Sequence, residues 1–145
     1  MEELLACALL YQCGLTPKEE YIQKLDSLFL QDETNELFLE LEFCTGDWSK
    51  TLSELNACWN GDVCVERFGK ALMGGLKRIY DRKETDLREF AKGAYAIWNM
   101  LPWRVGSVRP FQILSYADDP LSWGDEAQAR ELYQEAFGFY DEREG

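Results

Sequence analysis

Histidine is absent from this 145-residue sequence. That removes Ser-His-Asp and Cys-His nucleophilic catalysis, HExxH metal sites, and di-iron bundles built on Glu-x-x-His. Carboxylates and lysine can replace histidine in acid–base work, but histidine leads those roles, so turnover becomes the minority expectation. Neither a GxSxG elbow nor a GxGxxG loop occurs. The string Gly69 to Gly75, GKALMGG, lacks Walker spacing and has no Gly-Lys-Ser/Thr ending. The DxDxDG spacing of a calcium loop is missing as well. The five cysteines, Cys7, Cys13, Cys44, Cys58 and Cys64, are odd in number and form no CxxC pair, which argues for reduced thiols in a cytoplasmic protein and against a thiolate metal site. The expectation is no cofactor and no metal. The N-terminus opens on Glu2 and Glu3, where a signal peptide would carry positive charge. Its apolar run, Leu4 to Tyr11, is well short of the roughly 20 residues that span a bilayer.

What is present is apolar surface and negative charge. The chain is 46% hydrophobic and 14% aromatic, which excludes disorder as its general state. A chain of this size can bury roughly 70% of its unfolded surface and needs no disulfide or metal to fold. The formal charge is −12, unevenly placed. Residues 1–66 hold 14 acids and 3 bases, residues 67–109 hold 4 acids and 10 bases, and residues 110–145 hold 9 acids and 2 bases. Such a chain neutralises part of its charge internally on folding, and the surplus remains as a negative field. That field disfavours nucleic acid and anionic membrane as partners and favours a basic protein or a cation.

The stretch from Asp62 to Leu101 reads as two helices around which the rest is arranged. Val65, Phe68, Leu72, Leu76 and Ile79 make the first apolar stripe, with Asp62 as its N-cap. Gly69, Gly74 and Gly75 imply close approach of another backbone, with a kink at Gly74-Gly75 as the alternative. The second helix starts at Thr85 or Asp86, carries Leu87, Phe90, Ala91, Ala94, Trp98 and Leu101 on one face, and ends before Pro102. Arg67, Lys70, Lys77, Arg78, Arg82, Lys83, Arg88 and Lys92 lie off these stripes, as a solvated face paired with acids of the same chain.

Upstream, a helix over Glu2 to Cys13 ends at Gly14. Thr16, Pro17 and Glu19 form a capping box for the next, with Leu15 as a staple. Leu37, Leu39, Leu41 and Phe43 alternate as in a strand, yet the Leu- and Glu-rich composition favours a helix capped by Asp32 or Thr34. A turn at Thr45 to Asp47 precedes a helix over Trp48 to Trp59, and Asn60-Gly61 ends it. After Pro102 comes a loop, extended in part, then a short element over Phe111 to Tyr116 and a turn at Ala117 to Pro120. The last helix is capped by Ser122 or Asp125, shows a stripe from Ala129 to Tyr140, and ends in a frayed acidic tail of Asp141, Glu142 and Glu144. The fold class is therefore all-α: one domain over residues 1–145, a compact bundle of six or seven helices with one short extended segment after Pro102.

Two acidic clusters are the candidate binding residues. Asp32, Glu33, Glu36 and Glu40 would share a helix face, followed by Glu42 and Asp47. Asp118, Asp119, Asp125 and Glu126 surround Trp123, an anchor residue of the type enriched at interfaces. Trp59 and Trp98 read as core, whereas Trp48, Trp103 and Trp123 border turns. A small, acidic, intracellular chain without catalytic residues resembles, in character, bacterial immunity proteins that block nuclease or other toxins. The likeness covers no motif and carries over no residue. It implies a basic, toxin-like protein partner, held by carboxylates that occupy a cationic site. The alternatives are a helical assembly or regulatory module, and a hydrolase built on paired carboxylates.

Overall fold

The first helix, α1 (Glu2–Gln12), is buried on almost every side: Leu4, Leu5, Ala6, Ala8, Leu9 and Leu10 are all inside. A helix that is apolar all round belongs in the middle of a bundle. The computed structural model, which describes the backbone of residues 1–144 and the side chains of 1–141, puts it there. α1 lies along α5 (Val65–Tyr80) and also meets α2 (Lys18–Gln31) and α6 (Leu87–Met100). The organising centre is therefore α1 with α5, and the α5–α6 pair expected from the sequence is one side of it. Between α2 and α5 come α3 (Glu36–Phe43) and α4 (Trp48–Ala57), the latter running into a 3₁₀ turn at Cys58–Asn60.

α5 buries the expected stripe of Phe68, Leu72, Leu76 and Ile79, and adds Met73. It runs unbroken through Gly74-Gly75. What the glycines admit are side chains: the Tyr140 ring lies over Gly69 and the Leu10 side chain over Gly75, while Gly74 faces open space. α6 starts at the Asp86 cap, whose carboxylate accepts from the backbone N–H groups of Arg88 and Glu89 at 2.8 and 3.4 Å. Its buried face is Phe90, Ala91, Gly93, Ala94 and Ile97. The final helix, α8 (Glu126–Glu144), closes the bundle with Tyr133 and Phe137 packed on Phe90 and Tyr80, ring centroids 5.1 to 6.3 Å apart. One hydrophobic cluster runs from Leu4 to Tyr140. The frayed acidic end expected at Glu142 and Glu144 falls on side chains outside the described residues.

Several local expectations need correction. Pro17, not Thr16, takes the N-cap of α2, with no side-chain cap bond, so the capping box is not formed. Leu15 does not staple α2; its side chain sits over Gly93 of α6, where a Cβ would stand 2.6 Å away. Cys64 replaces Asp62 at the start of α5, and its N–H is taken by the Glu2 carboxylate at 3.1 Å. Asn35 caps α3 through a bond from the Phe38 N–H, because Asp32 is already engaged with Thr34 and Asn35. The segment after Pro102 is not extended: Trp103–Gly106 forms one helical turn, α7, and Phe111–Ser115 and Asp119–Trp123 are 3₁₀ turns. The Trp98 indole N–H, donating to the Gly106 carbonyl at 2.9 Å, draws this chain back over α6 and buries Val105. Among the described residues eight α-helices thus stand where six or seven were expected, and the excess is short. No strand occurs among the described residues, and Leu37 to Phe43 is helical. No helix among them is long and apolar enough to cross a membrane.

Candidate protein-binding surface

α3 is eight residues long and packs chiefly against α2. Phe38 and Leu41 face inward and are buried. At 3.6 residues per turn, Glu36, Leu39, Glu40 and Phe43 then fall within an arc of roughly 100° on the opposite side. That side faces solvent. Phe43 is 81% exposed and Leu39 42% exposed, and Leu30, at the end of α2, is 71% exposed. An exposed Leu alone carries no information, but a phenyl ring and two leucines at one corner of a well-buried molecule do.

The charge around this corner is one-sided. Between Lys24 and Lys50 the chain has no base and seven acids: Asp26, Asp32, Glu33, Glu36, Glu40, Glu42 and Asp47. The three cations of residues 1–66 are committed: Lys18 donates to the Thr45 carbonyl at 2.8 Å, Lys24 pairs with Glu3 at 2.6 Å, and Lys50 pairs with Glu40 at 3.3 Å.

The predicted carboxylates therefore divide by duty. Asp32 and Glu33 lie on the α2–α3 turn, not on one helix face with Glu36 and Glu40, because α3 begins only at Glu36. Asp32 accepts from the Thr34 hydroxyl at 3.1 Å and the Asn35 amide at 3.4 Å. Asp47 caps α4 through the Lys50 N–H at 3.1 Å. Glu33 and Glu36 remain exposed and open. Glu42 points back toward α2. Burial comes first, and then the hydrogen bond to Asp26 and its charge, in raising the Glu42 carboxyl to about 7.

The second predicted cluster is largely absorbed into structure. Asp125 caps α8 by accepting from the Gln128 N–H at 3.1 Å, and Glu126 binds Arg130 at 2.7 Å. Asp118 is partly buried, and desolvation raises its pKa. Asp119 and Trp123 face solvent, with Trp123 63% exposed. Of the other turn-bordering tryptophans, Trp103 is 79% exposed, whereas Trp48 donates to Gln12 at 2.6 Å and packs edge-on against Tyr11 and Tyr21. Trp59 is buried as expected, and Trp98 is partly so.

Sequence reasoning missed Leu39 and Phe43, although their signal was present: once Leu37 to Phe43 is helical, i, i+3, i+4 and i+7 from Glu36 share a face. Asp26 was also missed, and no local pattern marks it. Elsewhere, a groove of about 460 Å³ over α1, between α2 and α5, is rimmed by charges already paired, Glu3 with Lys24 and Glu20 with Arg78. Among the described residues no group of three or more Cys, Asp or Glu is placed to share a metal ion. No family model matches the chain, and no significantly similar curated protein or solved structure is found.

Proposed function

We propose that this chain is a binding protein that captures a basic protein partner on the α2–α3–α4 corner and inhibits it, in the manner of an immunity protein acting on a toxin. The observation that carries this reading is the coincidence of exposed Leu39 and Phe43 with a base-free stretch holding seven carboxylates. The two parts divide the work. Surplus negative potential steers a cationic surface toward the corner and raises the association rate. The Phe43 ring then supplies desolvated contact area, which slows dissociation. An arginine- or lysine-rich active site that normally holds phosphates would be filled by Glu33 and Glu36, the carboxylates left open. The absence of histidine fits a molecule that acts by occupying a site, without turnover of its own.

The test is direct. The product of the adjacent gene is purified, titrated with this chain, and assayed for its own activity. The expected result is tight, salt-sensitive binding that silences the activity and weakens on Phe43→Ala. Binding without silencing would instead make the chain an assembly module, and failure to bind any basic neighbour would remove the inhibitor reading.

A further inference from the structure

We propose that Cys13 and Met100 form a binding site for a soft monovalent metal ion, copper(I). The site belongs to α1 and α6 and is independent of partner capture at the α3 corner.

Two sulfurs from distant parts of the sequence meet here. Cys13 follows the last residue of α1, and Met100 is the last residue of α6, 87 positions on. The Cys13 thiol donates to the Met100 thioether across 3.8 Å, and both side chains are half-buried. Cys44 and Cys58 instead donate to backbone oxygens, the Leu41 and Glu54 carbonyls. Close cysteine spacing is the sequence mark of a thiolate site, and it cannot reveal a pair that only the packing of α1 on α6 creates.

The chemistry of the pair selects its ion. A thiolate and an uncharged thioether are both soft donors, which hold copper(I), whereas calcium and magnesium want oxygen. With metal–sulfur bonds of about 2.3 Å, the length of a zinc–thiolate bond, the 3.8 Å gap gives a sulfur–metal–sulfur angle of about 110°. An ion therefore fits without either helix moving and keeps a further position open to water or a small thiol. Binding breaks the Cys13 S–H bond, forms the metal–sulfur bond and releases the proton to solvent, with no change in the oxidation state of the metal.

The surroundings favour a cation. Cys13 lines a groove of about 450 Å³ that also carries Glu84, Asp86 and Glu89, with Lys92 as its one cation among the described residues. Two helices end at the sulfur pair, and neither α1 nor α6 has a basic residue in its last turn. The negative ends of both helix dipoles are thus left without a compensating charge there. The groove gives the ion a path to Cys13 that does not require the core to open.

Metal retention tests the site. The reduced chain is titrated anaerobically with copper(I) in excess glutathione, a thiol that competes with any single cysteine, and the bound metal is counted by native mass spectrometry. One equivalent should stay on the unmodified chain. Cys13→Ser should abolish retention. Met100→Leu, which keeps the thiol and the apolar volume, should lower the affinity by at least about tenfold. Cys64→Ser, at the exposed cysteine, should change nothing. A second measurement needs no substitution: with isotope-labelled methionine methyl groups, the Met100 resonance should shift on metal addition while those of Met1 and Met73 stay. No retained metal, retention that survives Cys13→Ser, or a Met100 methyl that does not move while metal is bound would each reduce the contact to packing and overturn the site.

Discussion

The α5–α6 pair and the α2–α3–α4 corner are both amphipathic, charged and helical, yet one is complete within the molecule and the other is not. On α5, α6 and the turn between them most cations find partners in the same chain: Lys70 meets Glu66, Lys77 meets Asp81, Arg78 and Arg82 share Glu20, and Lys92 meets Glu89. Their apolar stripes are inside, with Phe68, Leu72, Leu76 and Ile97 at zero exposure. At the corner, carboxylates outnumber available cations and a phenyl ring stands in water. Exposed ion pairs contribute little to stability, about 0–1 kcal/mol each, so the paired face matters chiefly for cancelling field. Around α3 much remains uncancelled, since no base lies between Lys24 and Lys50. Position of charge, more than its total, distinguishes a solubilising surface from one suited to a partner.

Substitutions should widen this contrast. The largest effect belongs to the finished region: Leu72→Ala leaves a cavity at a fully buried site and should cost about 2–5 kcal/mol in denaturant unfolding, with the partner still bound by whatever fraction remains folded. Next, Asp32, Glu36 and Glu40 changed together to Lys should slow partner association by at least about tenfold at low salt and weaken its salt dependence, read by stopped flow. Unchanged kinetics would remove this surface from the account. Asn35→Ala removes the cap of α3 and should cost about 1 kcal/mol, with the loss of exchange protection concentrated in residues 36–43. The smallest effect on the fold is that of Phe43→Ala, within about 0.5 kcal/mol, because the ring is mostly exposed. Its expected signature is a faster dissociation rate of the complex, and a marked loss of stability instead would show the ring to be packing, not docking.

The stripes of α5, α6 and α8 were readable because period and burial agree there. The position of α1 was not. A helix apolar on every side has almost no amphipathic asymmetry, so periodicity cannot show that it is central. Of the two candidates offered for α6, Thr85 and Asp86, the structure takes Asp86, whereas the single candidate for α5, Asp62, and both candidates for α3 are displaced. Asp32, Thr34 and Asn35 offer the same chemistry within four positions, and tertiary hydrogen bonds decide among them. Cys64 could start α5 because Glu2, distant in sequence, meets its N–H. The valines after Pro102 suggested extension, and the Trp98 bond to Gly106 overrode that weak preference. For the candidate surface, charge was legible and burial was not: sequence gathered six carboxylates into one group, and only the fold separates Glu33 and Glu36, which are open, from Asp32, Glu40 and Asp47, which have partners, and Glu42, which is partly buried.

The burial of α1 also sets an order of assembly. About 50 residues separate it from α5, so this contact closes a long loop and cannot form early in a chain that emerges in sequence. Until residues 65–80 have cleared the ribosome, Leu4, Leu5, Leu9 and Leu10 lack their main cover. During synthesis the helix that ends up with the largest share of its residues buried is thus the one that waits, and in that interval the nascent chain has its greatest need of a chaperone.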